Sequence, residues 1–428
     1  MQKTSNTLAL GSLTALFFLM GFITVLNDIL IPHLKPIFDL TYFEASLIQF
    51  CFFGAYFIMG GVFGNVISKI GYPFGVVLGF VITASGCALF YPAAHFGSYG
   101  FFLGALFILA SGIVCLQTAG NPFVTLLSKG KEARNLVLVQ AFNSLGTTLG
   151  PIFGSLLIFS TTKMGDNASL IDKLADAKSV QMPYLGLAVF SLLLALIMYL
   201  LKLPDVEKEM PKETTQKSLF SHKHFVFGAL GIFFYVGGEV AIGSFLVLSF
   251  EKLLNLDPQT SAHYLVYYWG GAMVGRFLGS VLMNKVAPNK YLAFNALSSI
   301  FLIALAIMIG GKIALFALTF VGFFNSIMFP TIFSLATLNL GHLTSKASGV
   351  ISMAIVGGAL IPPIQGVVTD MLAAAESNLL YAYGVPLLCY FYILFFALKG
   401  YKQEENYLKK GGFSFIFFLF ISFFLACF

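Results

Sequence analysis

The stretch Leu116–Leu127, LQTAGNPFVTLL, is informative about the whole chain because a similar stretch follows 208 residues later. Phe324–Leu335 is FNSIMFPTIFSL, and the two stretches align when Pro122 is set on Pro330. Each is an apolar run that carries an amide side chain and a proline, an unusual combination inside a helix. The match is weak alone, but it raises the question whether the chain contains the same unit twice.

Two further pairs of stretches match in the same order along the chain. Residues 143–157 resemble residues 354–368 at an offset of 211, and residues 64–73 resemble residues 279–288 at an offset of 215. Three matches with nearly constant offset predict two similar halves, a repeat organisation common in transporters. The alternative is that glycine- and proline-rich membrane helices resemble one another without any duplication.

The composition places this chain in a membrane. Hydrophobic residues make up 58% of its 428 residues and charged residues only 10%, against roughly 25% charged in soluble domains. Apolar runs of about 20 residues, the length of a membrane-crossing helix, recur from end to end. The first run is too long for a signal peptide and lacks a small-residue cleavage site, so we expect it to be retained.

Twelve spans are predicted, which makes this an all-α membrane protein with twelve transmembrane helices in two pseudo-symmetric six-helix halves. The polar, charged segment between the sixth and seventh spans is the expected linker. The predicted domains are residues 1–202, the linker 203–222, residues 223–400 and a tail of residues 401–428. The predicted spans are 8–32, 43–67, 73–94, 99–123, 135–160, 183–202, 223–250, 261–285, 289–310, 313–339, 345–371 and 378–399.

The distribution of basic residues predicts the orientation. If the N-terminus is cytoplasmic, 17 Lys and Arg residues lie inside and 6 outside, with Arg276 within a span. Cytoplasmic loops of membrane proteins carry the excess of Lys and Arg. We therefore expect a multi-pass protein of the cytoplasmic (inner) membrane with both termini inside. The net charge of +6 resides in these short loops and does not indicate nucleic-acid binding.

Two carboxylates are predicted to lie well inside spans, out of 18 acidic residues. Asp28 falls in the first helix and Glu239 in the seventh, at an offset of 211 residues. A charge near the bilayer centre costs at least ~2.5–3.5 kcal/mol and is a functional-site hypothesis by default. We predict that both residues take part in cation coupling in a shared central cavity. The alternative is that one of them merely pairs with Arg276.

Amide side chains and the single tryptophan are the candidate substrate ligands. Buried amides need partners, and a cluster of them supplies the donors and acceptors that sugar hydroxyls require. The indole can stack on the apolar face of a pyranose. The alternative role of such amides is interhelical hydrogen bonding. The predicted substrate-binding residues are Asn27, Gln117, Asn121, Gln140, Asn143, Trp269 and Asn325.

Motifs of other function classes are missing from the sequence. It contains no GxxxxGK[ST] phosphate loop and no HExxH, GxSxG or CxxC motif. The five cysteines lie in apolar runs without paired spacing. We expect neither an enzyme nor an ATP-driven pump, and no metal site or cofactor other than a co-transported H⁺ or Na⁺.

The chain over residues 8–399 resembles the fucose–galactose–glucose:proton symporters, a branch of the major facilitator superfamily. The resemblance implies two rocking halves and uptake of a monosaccharide together with a cation. The stretches that carry it are LNDILIPHL (26–34), GIVCLQTAGNPFVTLL (112–127), VQAFNSLGTTLGP (139–151), YVGGEVAIGSF (235–245), VGRFLGSVLMNKVAPNK (274–290), FNSIMFPTIFSL (324–335) and VGGALIPPIQGVVTD (356–370).

The resemblance also implies roles for individual residues. The family's helix 1 aspartate maps onto Asp28, and its helix 5 amides map onto Gln140 and Asn143. The L-fucose branch has a second carboxylate where this chain has Gln117, which points away from fucose and towards glucose and galactose. The superfamily's GxxxDRxG loop is degenerate here, with Ser68 at the acidic position.

The sequence therefore predicts cation-coupled uptake of glucose and galactose by alternating access. We expect a small-molecule sugar and membrane lipid as partners, no nucleic acid, and a functional monomer. The alternatives are an L-fucose:proton symporter, an efflux carrier of the same fold, a passive facilitator, and a membrane sensor or structural protein. Sugar binding and dependence on an ion gradient would distinguish them.

Overall fold

The computed structural model describes residues 9–25, 38, 40, 42–158, 178–201, 203–204, 218–254, 258–375 and 378–403. The regular structure within these ranges is helical, and they contain no strand. The N-terminal helices, called the first half below, are α1 (Ala9–Val25), α2 (Tyr42–Ile70), α3 (Tyr72–Phe96), α4 (Tyr99–Leu127), α5 (Glu132–Ile158) and α6 (Gln181–Leu200).

The second half contains α7 to α12, of which two are interrupted. The helices are α7 (Lys223–Leu254), α8 (Pro258–Leu282), α9 (Pro288–Ile309), α10 (segments Gly311–Asn325 and Met328–Ala336), α11 (segments Thr344–Ala354 and Gly357–Ala374) and α12 (Gly384–Phe395). A 3₁₀ turn, Leu379–Tyr383, precedes α12, and a π turn, Phe396–Gly400, follows it. The predicted all-α architecture of twelve helices is confirmed, and the segments agree with the predicted spans to within a few residues wherever both are described.

Nine helical segments in the described ranges are long and apolar enough to cross a membrane. Helix α1 is shorter over its described length, and α5 and α8 are not among the nine. Amide, hydroxyl and guanidinium side chains lower the apolar character of α5 and α8. A polar helix in a membrane bundle faces the interior rather than lipid, so their composition alone predicts that α5 and α8 face the interior of the bundle.

The helices of each half pack mainly on one another. Helix α3 packs along α4 and α6, and α2 packs on α4. In the second half, α7 packs against α10, α11 and α12, while α9 packs against α10 and α12. Large apolar side chains on α6, such as Met182 and Leu200, are exposed, as expected for a lipid-facing helix.

Glycines allow close backbone contact between the halves. A Cβ atom on Gly349 of α11 would lie 2.5 Å from the carbonyl oxygen of Gly60 and 2.8 Å from the Cα of Gly64, both in α2. Small residues allow helices to approach this closely. Nearby, the hydroxyls of Thr118 and Ser352 hydrogen-bond across the halves at 2.9 Å. These contacts lie towards the end of the bundle where α6 leads into α7, called the linker side below, and they hold that side closed.

Candidate functional site

A hydrogen-bonded network surrounds Glu239 in the interior of the second half. The Tyr235 hydroxyl donates to Glu239 Oε1 over 2.7 Å and also lies 3.1 Å from the carbonyl oxygen of Asn325. The Tyr268 hydroxyl donates to the carbonyl oxygen of Glu239 over 3.0 Å. Tyr235 and Glu239 are four residues apart on α7, so they share one face of that helix. Within the described residues, the Glu239 carboxylate is therefore hydrogen-bonded to a phenol and not to a cation.

Asn325 connects the tyrosines of this network. Its side-chain Nδ2 donates to the Tyr268 hydroxyl over 2.7 Å, and its Oδ1 accepts from the Tyr390 hydroxyl over 2.6 Å. Asn325 is fully buried. The network thereby joins α7, α8, α10 and α12. In this conformation the Asn325 side chain is hydrogen-bonded to two tyrosines, and its predicted contact with substrate stays a prediction.

The interruption of α10 explains why backbone carbonyls take part. The two segments of α10 meet at Ser326 and Ile327, and Pro330 has no N–H to donate to the carbonyl oxygen of Ser326. Polar side chains of neighbouring helices bond the carbonyls at the break, as buried backbone groups in a membrane require. Asn295 Nδ2 donates to Phe324 O over 2.7 Å, and Arg276 Nε donates to Ser326 O over 2.9 Å.

Arg276 carries the network across to the first half. Besides Ser326 O, its guanidinium bonds the Ser144 hydroxyl of α5 through Nη1, and Nη1 lies 3.5 Å from the carbonyl oxygen of Gln140. A planar guanidinium with five donors can serve partners on two helices at once. Among the described residues Arg276 forms no direct ion pair with Glu239, because its guanidinium is directed at carbonyls and a hydroxyl, but it lies within electrostatic range of that carboxylate. Pairing of the two therefore stays an open alternative.

The predicted amides of the first half form a second cluster. Gln140 Nε2 on α5 donates to Asn121 Oδ1 on α4 over 3.1 Å, and both side chains are buried. Asn143 Nδ2 donates to the carbonyl oxygen of Phe17 on α1 over 2.9 Å. The Oε1 atom of Gln117, one helical turn before Asn121, is buried and has no hydrogen-bond partner in the part of the chain that the structure describes. The cluster therefore retains an acceptor that a ligand hydroxyl or a water could use.

Trp269 lies on the face of α8 that is turned towards the first half. It precedes Met273 by four residues and Arg276 by seven, the spacing of one helical face. Thr148 of α5 donates to Met273 Sδ over 3.4 Å, which fixes the direction of that face. The indole is 42% exposed and lies next to Gly243 of α7. Its surroundings agree with a position at the interface between the halves, and contact with a sugar stays a prediction.

The packing of α1 on α5 and of α7 on α11 tests the predicted repeat. A Cβ on Gly146 of α5 would collide with the carbonyl oxygen of Phe18, and a Cβ on Gly357 of α11 would collide with that of Phe233. The two glycines are 211 residues apart, as in the sequence alignment, whereas the two phenylalanines are 215 apart (233 − 18). The same packing thus occurs in both halves, with α1 and α7 in a register one helical turn different.

This difference in register affects the prediction that the two carboxylates, Asp28 and Glu239, occupy equivalent positions in the two halves. At an offset of 215 residues, Glu239 corresponds to Thr24 (239 − 215), one turn before Asp28. The packing therefore does not support strict equivalence of Asp28 and Glu239. Asn27 and Asp28 themselves lie outside the described residues.

Sequence reasoning missed the hydroxyl groups that complete the site. Tyr235, Tyr268, Tyr390 and Ser144 are all buried and bonded to predicted residues or to Arg276. The spacing of Tyr235 and Glu239 could have indicated one of these pairs. Tyr390 has no such signal, because its partner lies 65 residues away in sequence. Together the two clusters offer donors and acceptors with little net charge, which is the chemistry that a neutral polyhydroxyl ligand needs.

Comparison with known proteins gives matches over nearly the whole chain. A family model described as Major Facilitator Superfamily matches residues 13–363. A Helicobacter pylori protein, whose name of glucose/galactose transporter is given as provisional, is 98% identical over 406 residues, covering 95% of this chain and 100% of the relative. The glucose/galactose transporter of Brucella abortus is 49% identical over 400 residues, covering 92% of this chain and 94% of the relative.

Among solved structures, the chain is similar to FucP. A crystal structure of FucP in the outward conformation has a TM-score of 0.86 at 35% identity, covering 94% of this chain and 100% of that one. A second structure, of the Escherichia coli fucose:proton symporter FucP, has a TM-score of 0.84 at 34% identity with the same coverage.

Proposed function

The chain belongs to the Major Facilitator Superfamily, and from this premise we propose that it couples the uptake of glucose and galactose to the entry of protons. It is a multi-pass protein of the inner membrane. The names of the Helicobacter and Brucella relatives support the two sugars. The description of FucP as a fucose:proton symporter supports the proton, rather than sodium, as the coupling ion.

The observation that carries this proposal is the Arg276 bridge between two polar clusters on facing halves. A monosaccharide is neutral and presents hydroxyls that both donate and accept. Gln140, Asn121 and Gln117 supply amide groups on one side of the interface, and Trp269 supplies an aromatic face on the other. An efflux carrier of apolar compounds would be expected to have a more apolar interface.

We assign proton coupling to Asp28 and Glu239, the two carboxylates in predicted membrane spans. Asp28 takes the proton while the site is open outwards, which neutralises a charge that closure would otherwise bury in a low dielectric. Closure then depends on the proton. Glu239 is held by Tyr235 within the second half, and its place in the network fits a role in transmitting the protonation state to α8 and α10.

Alternating access follows from the contacts on the linker side. With both termini cytoplasmic, as the Lys and Arg distribution predicts, the linker side faces the cytoplasm and the described conformation opens outwards. The similarity to FucP in its outward conformation supports this assignment. Residues 1–202 and 223–400 then rock as two bodies, with residues 203–222 as the linker between them, in a protein that works as a monomer. The apolar tail within residues 401–428 has no role in this proposal.

The proposal is tested by uptake into proteoliposomes that contain the full chain. Labelled glucose, galactose and fucose are offered under a proton gradient and, separately, under a sodium gradient. We expect glucose and galactose to accumulate with the proton gradient, and fucose to be taken up poorly because Gln117 replaces a carboxylate. Asp28→Asn is expected to abolish accumulation but to retain counterflow exchange, and Glu239→Gln to reduce both.

Several results would contradict the proposal. Normal accumulation by Asp28→Asn would remove this residue from the coupling mechanism. Equilibration without accumulation would indicate a passive facilitator. Accumulation with the sodium gradient alone would show that sodium, and not the proton, is the coupling ion. Preference for fucose would contradict the assignment of glucose and galactose as substrates.

A further inference from the structure

A cavity lies at the end of the second half opposite the linker side, away from the central network. Three elements form it: the last turns of α7, the far segment of α11 and the turn that leads into α12. Its polar lining consists of Ser249, Lys252, Gln365, Thr369 and Tyr383, and Phe245 contributes an aromatic wall. The cavity offers ≈ 20 Å³ to the centres of water-sized molecules. This room suffices for about one water or one hydroxyl group and not for a complete pyranose ring.

Gln365 is the unusual residue of this cavity. Its side chain is fully buried, at 0% exposure, yet neither Nε2 nor Oε1 has a hydrogen-bond partner among the described residues. Buried side-chain amides in proteins are nearly always bonded to protein or to ordered water. An amide that lines a cavity and has both its donor and its acceptor uncommitted therefore indicates a ligand.

The neighbouring hydroxyls define the other side of the site. Ser249 Oγ donates to the carbonyl oxygen of Phe245 over 2.9 Å and lies 2.8 Å from Tyr383 Oη. Because the Ser249 hydrogen is used in the first bond, Tyr383 Oη donates to Ser249 Oγ. The pair therefore presents oxygen lone pairs to a ligand, which accept a hydrogen from it. The Thr369 hydroxyl is already committed, since it donates to the carbonyl oxygen of Gln365 over 2.8 Å.

The charges around the cavity disfavour a cation. Among the described residues, Lys252 is the only charged residue that lines it, and its positive charge repels a bound cation such as Na⁺. An anion would be attracted by Lys252 and bonded by Gln365 Nε2, but it would leave Gln365 Oε1 and the hydroxyl lone pairs without a hydrogen to accept. A neutral group that both donates and accepts matches the lining.

We propose that this cavity binds one neutral hydroxyl group, from a water molecule or from a monosaccharide, between the Gln365 amide and the Ser249–Tyr383 pair. Gln365 Nε2 donates to the oxygen of the bound hydroxyl, and Gln365 Oε1 accepts its hydrogen. The sugar as a source rests on the proposed function, whereas the water does not.

Radiolytic hydroxyl-radical footprinting tests the site in the full chain in lipid nanodiscs. Radicals formed from a bound water oxidise the adjacent ring, and mass spectrometry measures the rate. We expect Tyr383 to be oxidised several-fold faster than Tyr184, an equally buried tyrosine of α6. Gln365→Leu is expected to lower the Tyr383 rate to that of Tyr184. Val367→Leu, at an exposed position of the same helical segment, serves as the matched control and should leave the rate unchanged.

Addition of glucose distinguishes the two sources of the hydroxyl. Protection of Tyr383 by glucose assigns the ligand to the sugar, and an unchanged rate assigns it to water. Equal rates for Tyr383 and Tyr184 in the wild-type protein, with and without glucose, would show a dry cavity and overturn the proposal. A Tyr383 rate that Gln365→Leu does not alter would overturn it too.

The wild-type comparison does not depend on how any variant folds. If Gln365→Leu does not fold, Gln365→Asn replaces it, because the shorter amide withdraws from the ligand without adding apolar volume. Since footprinting needs no transport, failure of this site is distinct from failure of the proposed function, which appears in the uptake assay.

Discussion

The guanidinium of Arg276 lies where α8 of the second half faces α5 of the first. It donates to Ser326 O at the break in α10 and to the Ser144 hydroxyl, and it lies within 3.5 Å of Gln140 O. The guanidinium is hydrogen-bonded here to hydroxyl and carbonyl oxygens, with the Glu239 carboxylate in electrostatic range. Because Ser144 and Gln140 belong to the first half, the contacts with them must break when the halves separate on the linker side, and they stabilise the closed arrangement until then.

Arg276→Lys is expected to weaken this closed arrangement. A lysine ammonium is compact and cannot serve Ser326 O and the Ser144 hydroxyl together. Hydrogen bonds of charged groups contribute ~1.5–3 kcal/mol, so loss of one should shift the equilibrium between the two conformations by about 10- to 150-fold. Spin-label distances across the linker side measure the populations.

A graded control separates this effect from general damage. Ser144→Ala removes one hydroxyl partner and leaves both carbonyls, so we expect a smaller shift in the same direction. Unchanged distances in Arg276→Lys would mean that Arg276 does not hold the halves together.

Among the elements, α2 and α11 bring their backbones into close contact across the halves. Gly60 and Gly64 of α2 face Gly349 of α11 with no room for a side chain between them. A contact built from glycines gives little side-chain interlocking, so it can form and part repeatedly. The break in α10 is a second feature of this scale. It leaves carbonyl groups without a helical N–H partner, and side chains of neighbouring helices bond them instead.

Gly349→Leu is expected to keep the linker side from closing. Overpacking of this kind costs ~1–3 kcal/mol, which favours the conformation open on the linker side by about 5- to 150-fold. Accessibility of a cysteine placed near Ser352 to a membrane-impermeant thiol reagent, measured in inside-out vesicles, should rise accordingly. Gly104→Leu is the control, since a Cβ there meets nothing within 4 Å. An equal rise in that variant would mean that the effect is not local to the α2–α11 contact.

For the whole molecule, transport by rocking requires that contacts on the linker side separate in every cycle. The Thr118 and Ser352 hydroxyls, on α4 and α11, lie 2.9 Å apart and are both buried. They form a direct link between the halves near the closed end. If the two halves move as bodies, linking this pair covalently should stop the cycle without disturbing either half.

Replacement of Thr118 and Ser352 by cysteine in one chain is expected to give a disulfide that arrests transport. Hydroxyls at hydrogen-bond distance bring their Cβ atoms near the ~3.5–4.5 Å that a disulfide bridges, so a small movement of either helix allows the bond to form. Glucose uptake should fall to background after oxidation and recover after reduction. Each single cysteine variant controls for the substitutions themselves and for the native cysteines. Unimpaired uptake by the fully oxidised protein would show that the halves do not separate at this point.

The sequence by itself determined the membrane location, the number and extent of the helices and the polar residues worth examining, because length, apolar character and buried polarity are local properties of the chain. Glu239, Gln140 and Asn325 were recognisable as polar groups in apolar runs. Which groups bond one another was decided only by the tertiary structure. Packing between helices that are distant in sequence brings hydrogen-bond partners to Tyr390, to Ser144 and to the carbonyls at the α10 break. No local property of the chain specifies these partners.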